Sequence, residues 1–179
     1  MRVISGTARG RKLVSPEGNQ VRPTLDRVKE AVFNMLAFSV QDASVLDLFA
    51  GSGGLGVEAL SRGAARAVFV DASEASLRVV RENLALTRLE EKAACVCSDF
   101  LTYLSGQRES FDLIFLDPPY AGGYLEPALL KIREKRLLAQ NGLVVCELDS
   151  AENPDCPEGY VLIRNKKYGK ARILLMKEL

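Results

Sequence analysis

Val45-Leu46-Asp47-Leu48-Phe49-Ala50-Gly51-Ser52-Gly53-Gly54-Leu55-Gly56 joins a short apolar run to a glycine-rich turn. The run, residues 45–49, reads as a buried strand and residues 55–62 as the helix after it, while glycines between them let the backbone approach a ligand closely. Further apolar runs recur at 67–70, 94–96, 111–116 and 143–148, separated by amphipathic helical stretches at 74–86, 100–105 and 124–138. Their alternation predicts an α/β fold with a twisted, mainly parallel sheet and helices on both faces. Residues 160–165 and 172–176 read as an antiparallel pair closing the sheet. Upstream, Thr24 is placed to cap a helix with Asp26 in its first turn and Val28, Val32, Met35 and Leu36 on its apolar face. Residues 1–22 read as a basic N-terminal extension with a small hairpin at 2–13, and residues 1–179 as a single domain.

Composition narrows the function. A chain of 179 residues with 47% hydrophobic and 26% charged residues has the size and balance of one globular domain, and no apolar run approaches the length of a membrane span. A signal-like stretch is missing after Met1-Arg2, so a cytoplasmic protein is expected. Four cysteines without a framework spacing read as core residues, and the absence of histidine leaves any catalysis without an imidazole base and offers no zinc-ligand pattern. No metal is expected.

Asp47, Asp71, Asp99 and Asp117 each fall at or just past the later part of a strand, on the edge where parallel sheets bind ligands. Asp71 follows Gly51 by twenty residues, where a carboxylate can accept hydrogen bonds from both hydroxyls of a ribose. NAD and S-adenosylmethionine both carry such a ribose, and the glycine spacing alone does not separate them.

Asp117-Pro118-Pro119-Tyr120 does. An exocyclic base amine is a poor nucleophile because its lone pair is delocalised into the ring. Attack on a sulfonium methyl requires the nitrogen to become tetrahedral, and acceptors on its two hydrogens favour that change. Asp117 offers a carboxylate oxygen and Pro118 a backbone carbonyl; the two prolines stiffen the turn and remove N–H donors. Tyr120 can stack on a base withdrawn from its helix or loop.

Four segments carry a resemblance that extends over essentially the whole chain: Arg2-Val-Ile-Ser-Gly6 with Arg9-Gly-Arg-Lys-Leu13, Arg22-Pro-Thr-Leu-Asp26-Arg27 through Phe33-Asn34, the glycine turn, and Asp117-Pro-Pro-Tyr120. The chain resembles the RsmD-type 16S rRNA (guanine-N2)-methyltransferases. The resemblance implies a Rossmann-like class I methyltransferase fold, with a seven-stranded, mainly parallel sheet and one antiparallel strand. It implies S-adenosylmethionine as cofactor and a guanine of small-subunit rRNA as substrate. Carried onto this sequence, Asp47, Phe49, Ala50, Gly51 and Gly53 would hold the methionine end, Asp71 and Ala72 the ribose, and Asp99 and Phe100 the adenine. Asp117, Pro118, Pro119 and Tyr120 would hold the target base, and Thr24, in Arg22-Pro-Thr24, would close over the cofactor. Phe69-Val70 departs from the many relatives that have an acidic residue just before the second-strand aspartate.

The net charge is only +1, but the basic residues cluster. Arg2, Arg9, Arg11, Lys12, Arg22, Arg27 and Lys29 crowd the start; Arg164, Lys166, Lys167, Lys170 and Arg172 lie near the end with no acidic residue among them. Arg9, Arg11, Lys12, Lys166, Lys167 and Lys170 are the expected phosphate contacts. The expected reaction is direct in-line methyl transfer by a monomer acting on 16S rRNA within an assembling subunit, driven by positioning and hydrogen-bond acceptance. A DNA adenine-N6 or cytosine-N4 methyltransferase would use the same Asp-Pro-Pro-Tyr turn. A nicotinamide-dependent oxidoreductase would share only the glycine turn, and a non-catalytic RNA-binding module only the basic clusters.

Overall fold

The computed structural model describes residues 1–15, 23–119 and 123–179, with residues 23–25 described by backbone alone. The elements are α1 (Pro23–Met35), β1 (Ser44–Asp47), α2 (Gly54–Ser61), β2 (Arg66–Asp71), α3 (Glu74–Thr87), β3 (Ala93–Cys97), α4 (Phe100–Gly106), β4 (Phe111–Leu116), α5 (Leu125–Glu134), β5 (Leu138–Asp149), β6 (Tyr160–Tyr168) and β7 (Ala171–Glu178). They build one seven-stranded sheet in the order β3-β2-β1-β4-β5-β7-β6. Strands β1 to β5 are parallel, and β7 runs antiparallel between β5 and β6. Chain order reverses between β1 and β4, which opens a crevice at their carboxyl ends.

Each face of the sheet carries its own core. Val28, Val32 and Phe33 of α1 with Leu36 just past its end, Val57 and Leu60 of α2, and Leu77, Val80 and Leu84 of α3 pack on one side with Val45, Phe115 and Val145. Phe100 and Leu104 of α4 and Leu129 and Ile132 of α5 cover Leu46, Ile114, Val144 and Cys146 on the other. Such strands have no wet face, which is why their sequences are continuous apolar runs. Among the described residues no helix is long and apolar enough to cross a membrane.

Helix α5 ends earlier than its periodicity predicts. Arg136 turns left-handed (φ 53°) and the Leu137 N–H donates to the Ile132 carbonyl at 2.9 Å, so Leu138 leaves the helix and pairs with Phe111. Leu137 and Leu138 satisfy a helical spacing equally well; burial against the sheet decides between the two. Strands β6 and β7 also run past their expected ends at 165 and 176, to Tyr168 and Glu178.

The N-terminal residues fold back as a hairpin with one antiparallel bridge between Arg2 and Lys12. It lies along α2 and is fastened by Glu58, which is fully buried and accepts from the Ile4 and Ser5 N–H groups at 2.8 and 3.0 Å. Arg62 and Lys29 complete the knot, at 2.7 and 3.2 Å from the same carboxylate. A buried charge is tolerated only when paired in this way. Gly6, at φ 86°, crosses so close to the Ser61 carbonyl that any Cβ there would overlap it. Lys29 is therefore no part of a polyanion-facing cluster: it is 3% exposed, and desolvation lowers its pKa despite Glu58. Arg172 is buried as well, donating to Asn165 Oδ1 and the Ser150 carbonyl.

Candidate active site

The turn after β1 is shaped by hydrogen bonds from both neighbouring strands. The Leu48 N–H donates to the Phe115 carbonyl of β4, and the Ala50 N–H to the Val70 carbonyl of β2. Gly53, at φ 77°, caps α2 in a left-handed conformation, with Val80 and Phe69 about where a side chain would go. Asp47 is buried beneath the turn, and its Oδ2 accepts the Gly56 N–H at 3.0 Å. Burial pushes the Asp47 carboxyl up to about 7, with a further push from Asp71, although the Gly56 hydrogen bond opposes both. Phe49 is half-buried.

Asp71 closes β2 and braces two loops: Oδ2 accepts the Gly51 N–H at 2.9 Å and Oδ1 the Ser73 N–H at 2.8 Å. Ala72 turns its carbonyl towards the Cys97 thiol, 3.7 Å away. Asp99 is the N-cap of α4, its Oδ1 accepting from the N–H groups of Leu101 and Thr102. Capping occupies Oδ1 and leaves Oδ2 without a hydrogen-bond partner among the described residues. Behind it Phe100 packs with Phe49 at 5.2 Å and Tyr124 at 5.7 Å between ring centroids, an aromatic floor between α4 and α5.

Asp117 follows β4 directly. Its side chain keeps access to solvent, yet the protein packed around it raises its carboxyl well above the usual range by desolvation; the Glu147 and Asp47 charges add to this. Pro118 is buried and Pro119 exposed. Tyr120 lies outside the described residues, as does the side chain of Thr24.

The two basic clusters separate. Tyr168 and Asp149 both pair with Ala171, so the β6–β7 tip with exposed Lys166, Lys167 and Lys170 sits on the same sheet edge as Asp117. The N-terminal hairpin points the other way. Its open end lies by the glycine turn, where Asn83 bonds both Val14 and the Ser52 carbonyl, and its tip lies by Ser61 at the far end of α2. Arg9 and Arg11 are exposed near that tip, about one helix length (~12 Å) from the crevice; Lys12 is exposed nearer the open end.

Sequence reasoning missed Asn83, which joins the glycine turn to the N-terminal segment. Its one signal is an amide on the apolar face of α3, where it is fully buried among Leu77, Val80 and Leu84.

The family described as Conserved hypothetical protein 95 matches residues 1–177. Ribosomal RNA small subunit methyltransferase D of Escherichia coli is 39% identical over 172 residues, covering 95% of this chain and 86% of that protein. The Bacillus subtilis protein YlbH is 40% identical over 182 residues, 99% of each chain. The solved structure of Escherichia coli yhhF superposes with a TM-score of 0.87 at 37% identity, covering 99% of this chain and 97% of that one. With its glycine turn and Asp117-Pro118-Pro119 on one edge of a sheet of the expected topology, the chain belongs to the Conserved hypothetical protein 95 family, to which the RsmD-type methyltransferases that its motifs resemble also belong.

Proposed function

We propose that this chain transfers the methyl group of S-adenosylmethionine to the exocyclic N2 amine of a guanine in small-subunit rRNA. The observation that carries it is the convergence of Asp47, Asp71, Asp99 and Asp117 on one sheet edge, with the lysine-rich β6–β7 tip on the same edge. The activity of the Escherichia coli relative supports the RNA substrate.

The residues fit the cofactor. A Cβ at Gly51 would meet nothing within 4 Å, which leaves open space over the turn. Asp47 is a buried carboxylate with no cation paired to it among the described residues, the complement of an ammonium group. Asp71 and Asp99 each retain accepting capacity beyond their backbone bonds, suited to ribose hydroxyls and an adenine amine. Phe49, Ala50, Gly53, Ala72 and Phe100 line the path between them, and Thr24 closes over it.

When bound, the sulfonium supplies the electrophilic methyl: its S–C bond breaks as the N–C bond forms. Asp117 and the Pro118 carbonyl orient the amine by accepting its hydrogens, and Pro119 keeps their turn rigid. Tyr120 stacks on the base. Asp117, whose raised pKa makes it a better proton acceptor than an ordinary aspartate, takes the proton that the methylated nitrogen sheds. Lys166, Lys167 and Lys170 hold phosphates beside the cleft, and Arg9, Arg11 and Lys12 hold more distant ones. The protein acts as a cytoplasmic monomer, residues 1–179 forming one catalytic domain with 1–22 as its extension, on rRNA within an assembling small subunit.

Labelled S-adenosylmethionine offered to deproteinised rRNA and to unmodified small subunits tests this, with nucleoside identification and mapping of the labelled position. N2-methylguanosine at one position is expected. N6-methyladenosine or N4-methylcytidine would overturn the reading in favour of the same turn working on another base, and RNA binding with neither cofactor binding nor transfer would reduce the protein to an RNA-binding module.

A further inference from the structure

Glu147 stands one step past the last registered pair of β4 and β5. Leu113, Ile114, Phe115 and Leu116 lie beside Leu143, Val144, Val145 and Cys146, so the next step sets Asp117 level with Glu147, on strands ~4.8 Å apart. Side chains alternate along a strand, and Phe115 and Val145 both enter the core beneath α1, α2 and α3. Two residues on, Asp117 and Glu147 share that side. Their proximity registers in Asp117, on which Glu147 is the largest charge influence.

Among the described residues the other surroundings of Glu147 offer it no donor. Its partner on β7 is Ile173, and Arg172 points to the opposite face, held by Asn165 and Ser150. Glu147 is half-buried, takes part in no hydrogen bond or ion pair among the described residues, and has its carboxyl raised by desolvation alone. A desolvated carboxylate beside a second one costs stability and fastens nothing. A substrate donor would answer it.

Guanine has donors on two neighbouring atoms of its Watson–Crick edge, N1–H and the N2 amine. Adenine and cytosine instead place a lone pair beside their exocyclic amine. Two adjacent acceptors match the first pattern and repel the second, and reading of this edge is how enzymes that act on a withdrawn base select it. Resting on the guanine-N2 reading above, we infer that Glu147 is a base-reading residue: its carboxylate accepts the N1–H of the target guanine while Asp117 and the Pro118 carbonyl take the N2 amine.

The test uses the small-subunit substrate with its mapped target rebuilt as guanine or as 2-aminopurine, which keeps the accepting amine but has a lone pair at N1. Wild type is expected to methylate guanine on the order of 10²-fold faster in single turnover, the cost of leaving one buried acceptor without its donor. Glu147→Ala brings that ratio below about 5 by slowing guanine and sparing 2-aminopurine. Glu147→Gln, which keeps an acceptor oxygen, restores part of the preference, and cofactor titration with circular dichroism establishes that both variants are folded. A merely structural role slows both substrates together; an unchanged ratio in Glu147→Ala, with N2-methylguanosine still the product, overturns the inference about Glu147 alone. Label on adenine or cytosine overturns the guanine reading, and this inference with it.

Discussion

The backbone N–H of Gly51 donates to Asp71 Oδ2 at 2.9 Å, tying the glycine turn after β1 to the end of β2. One carboxylate thus shapes the turn and faces the place expected for the ribose. Asp71→Ala should weaken S-adenosylmethionine binding by roughly 10- to 100-fold, the loss of charged hydrogen bonds, measured by titration calorimetry. Asp71→Asn keeps one acceptor and should lose less. Unchanged affinity in a folded Asp71→Ala protein would remove this residue from the site.

Asp117 is expected to act mainly in the transition state, as the amine becomes tetrahedral. Asp117→Ala should lower the single-turnover rate at saturating cofactor and RNA by roughly 10²- to 10³-fold, with little change in either binding constant. Asp117→Asn, with an acceptor oxygen in the same place, should be milder. A near-normal rate in Asp117→Ala would return Asp-Pro-Pro-Tyr to the status of a turn.

Replacing Lys166, Lys167 and Lys170 by Ala should weaken RNA binding and flatten its salt dependence by about 2 units of log–log slope, at ~0.7 per phosphate contact on single strands. Cofactor affinity should stay constant. Arg9→Ala with Arg11→Ala, farther from the crevice, should change the slope less. A triple-lysine variant with the wild-type slope would make the β6–β7 tip a merely solvated surface.

The raised pKa of Asp47 sets a pH dependence of stability. The unfolded chain releases this proton near 3.8 and the folded protein near 7, so between those values folding takes up a proton and stability falls as pH rises, by on the order of 4 kcal/mol. Asp117 and Glu147, also raised, add the same sign. Asp47→Asn should therefore flatten part of this slope in denaturant titrations and be more stable than wild type at pH 8. Cofactor binding near pH 6 should release a proton, visible as a dependence of calorimetric heat on buffer. A variant as pH-sensitive as wild type would place the titration elsewhere.

The strands and the four aspartates were legible because strands buried on both faces must be apolar throughout, and a charge at the end of such a run stands out. Glu147 did not stand out, since it interrupts an apolar run by a single residue. Lys29 and Arg172 were misassigned for a related reason: whether a cation faces solvent depends on partners such as Glu58 and Ser150, and local sequence does not reveal them. The α5–β5 boundary failed because Leu137 and Leu138 suit either element.

The knot around Glu58 also orders events in time. Residues Met1 to Leu13 are synthesised before α2, yet Ile4 and Ser5 dock on a carboxylate 54 and 53 positions later. Until α2 has emerged, the hairpin has no surface to close on, and Lys29 on α1 has no counter-charge to justify its burial. Loop-closing contacts of this span come late and slow folding. The basic hairpin therefore stays unfastened until α2 has been made, free to meet other polyanions before its own protein claims it.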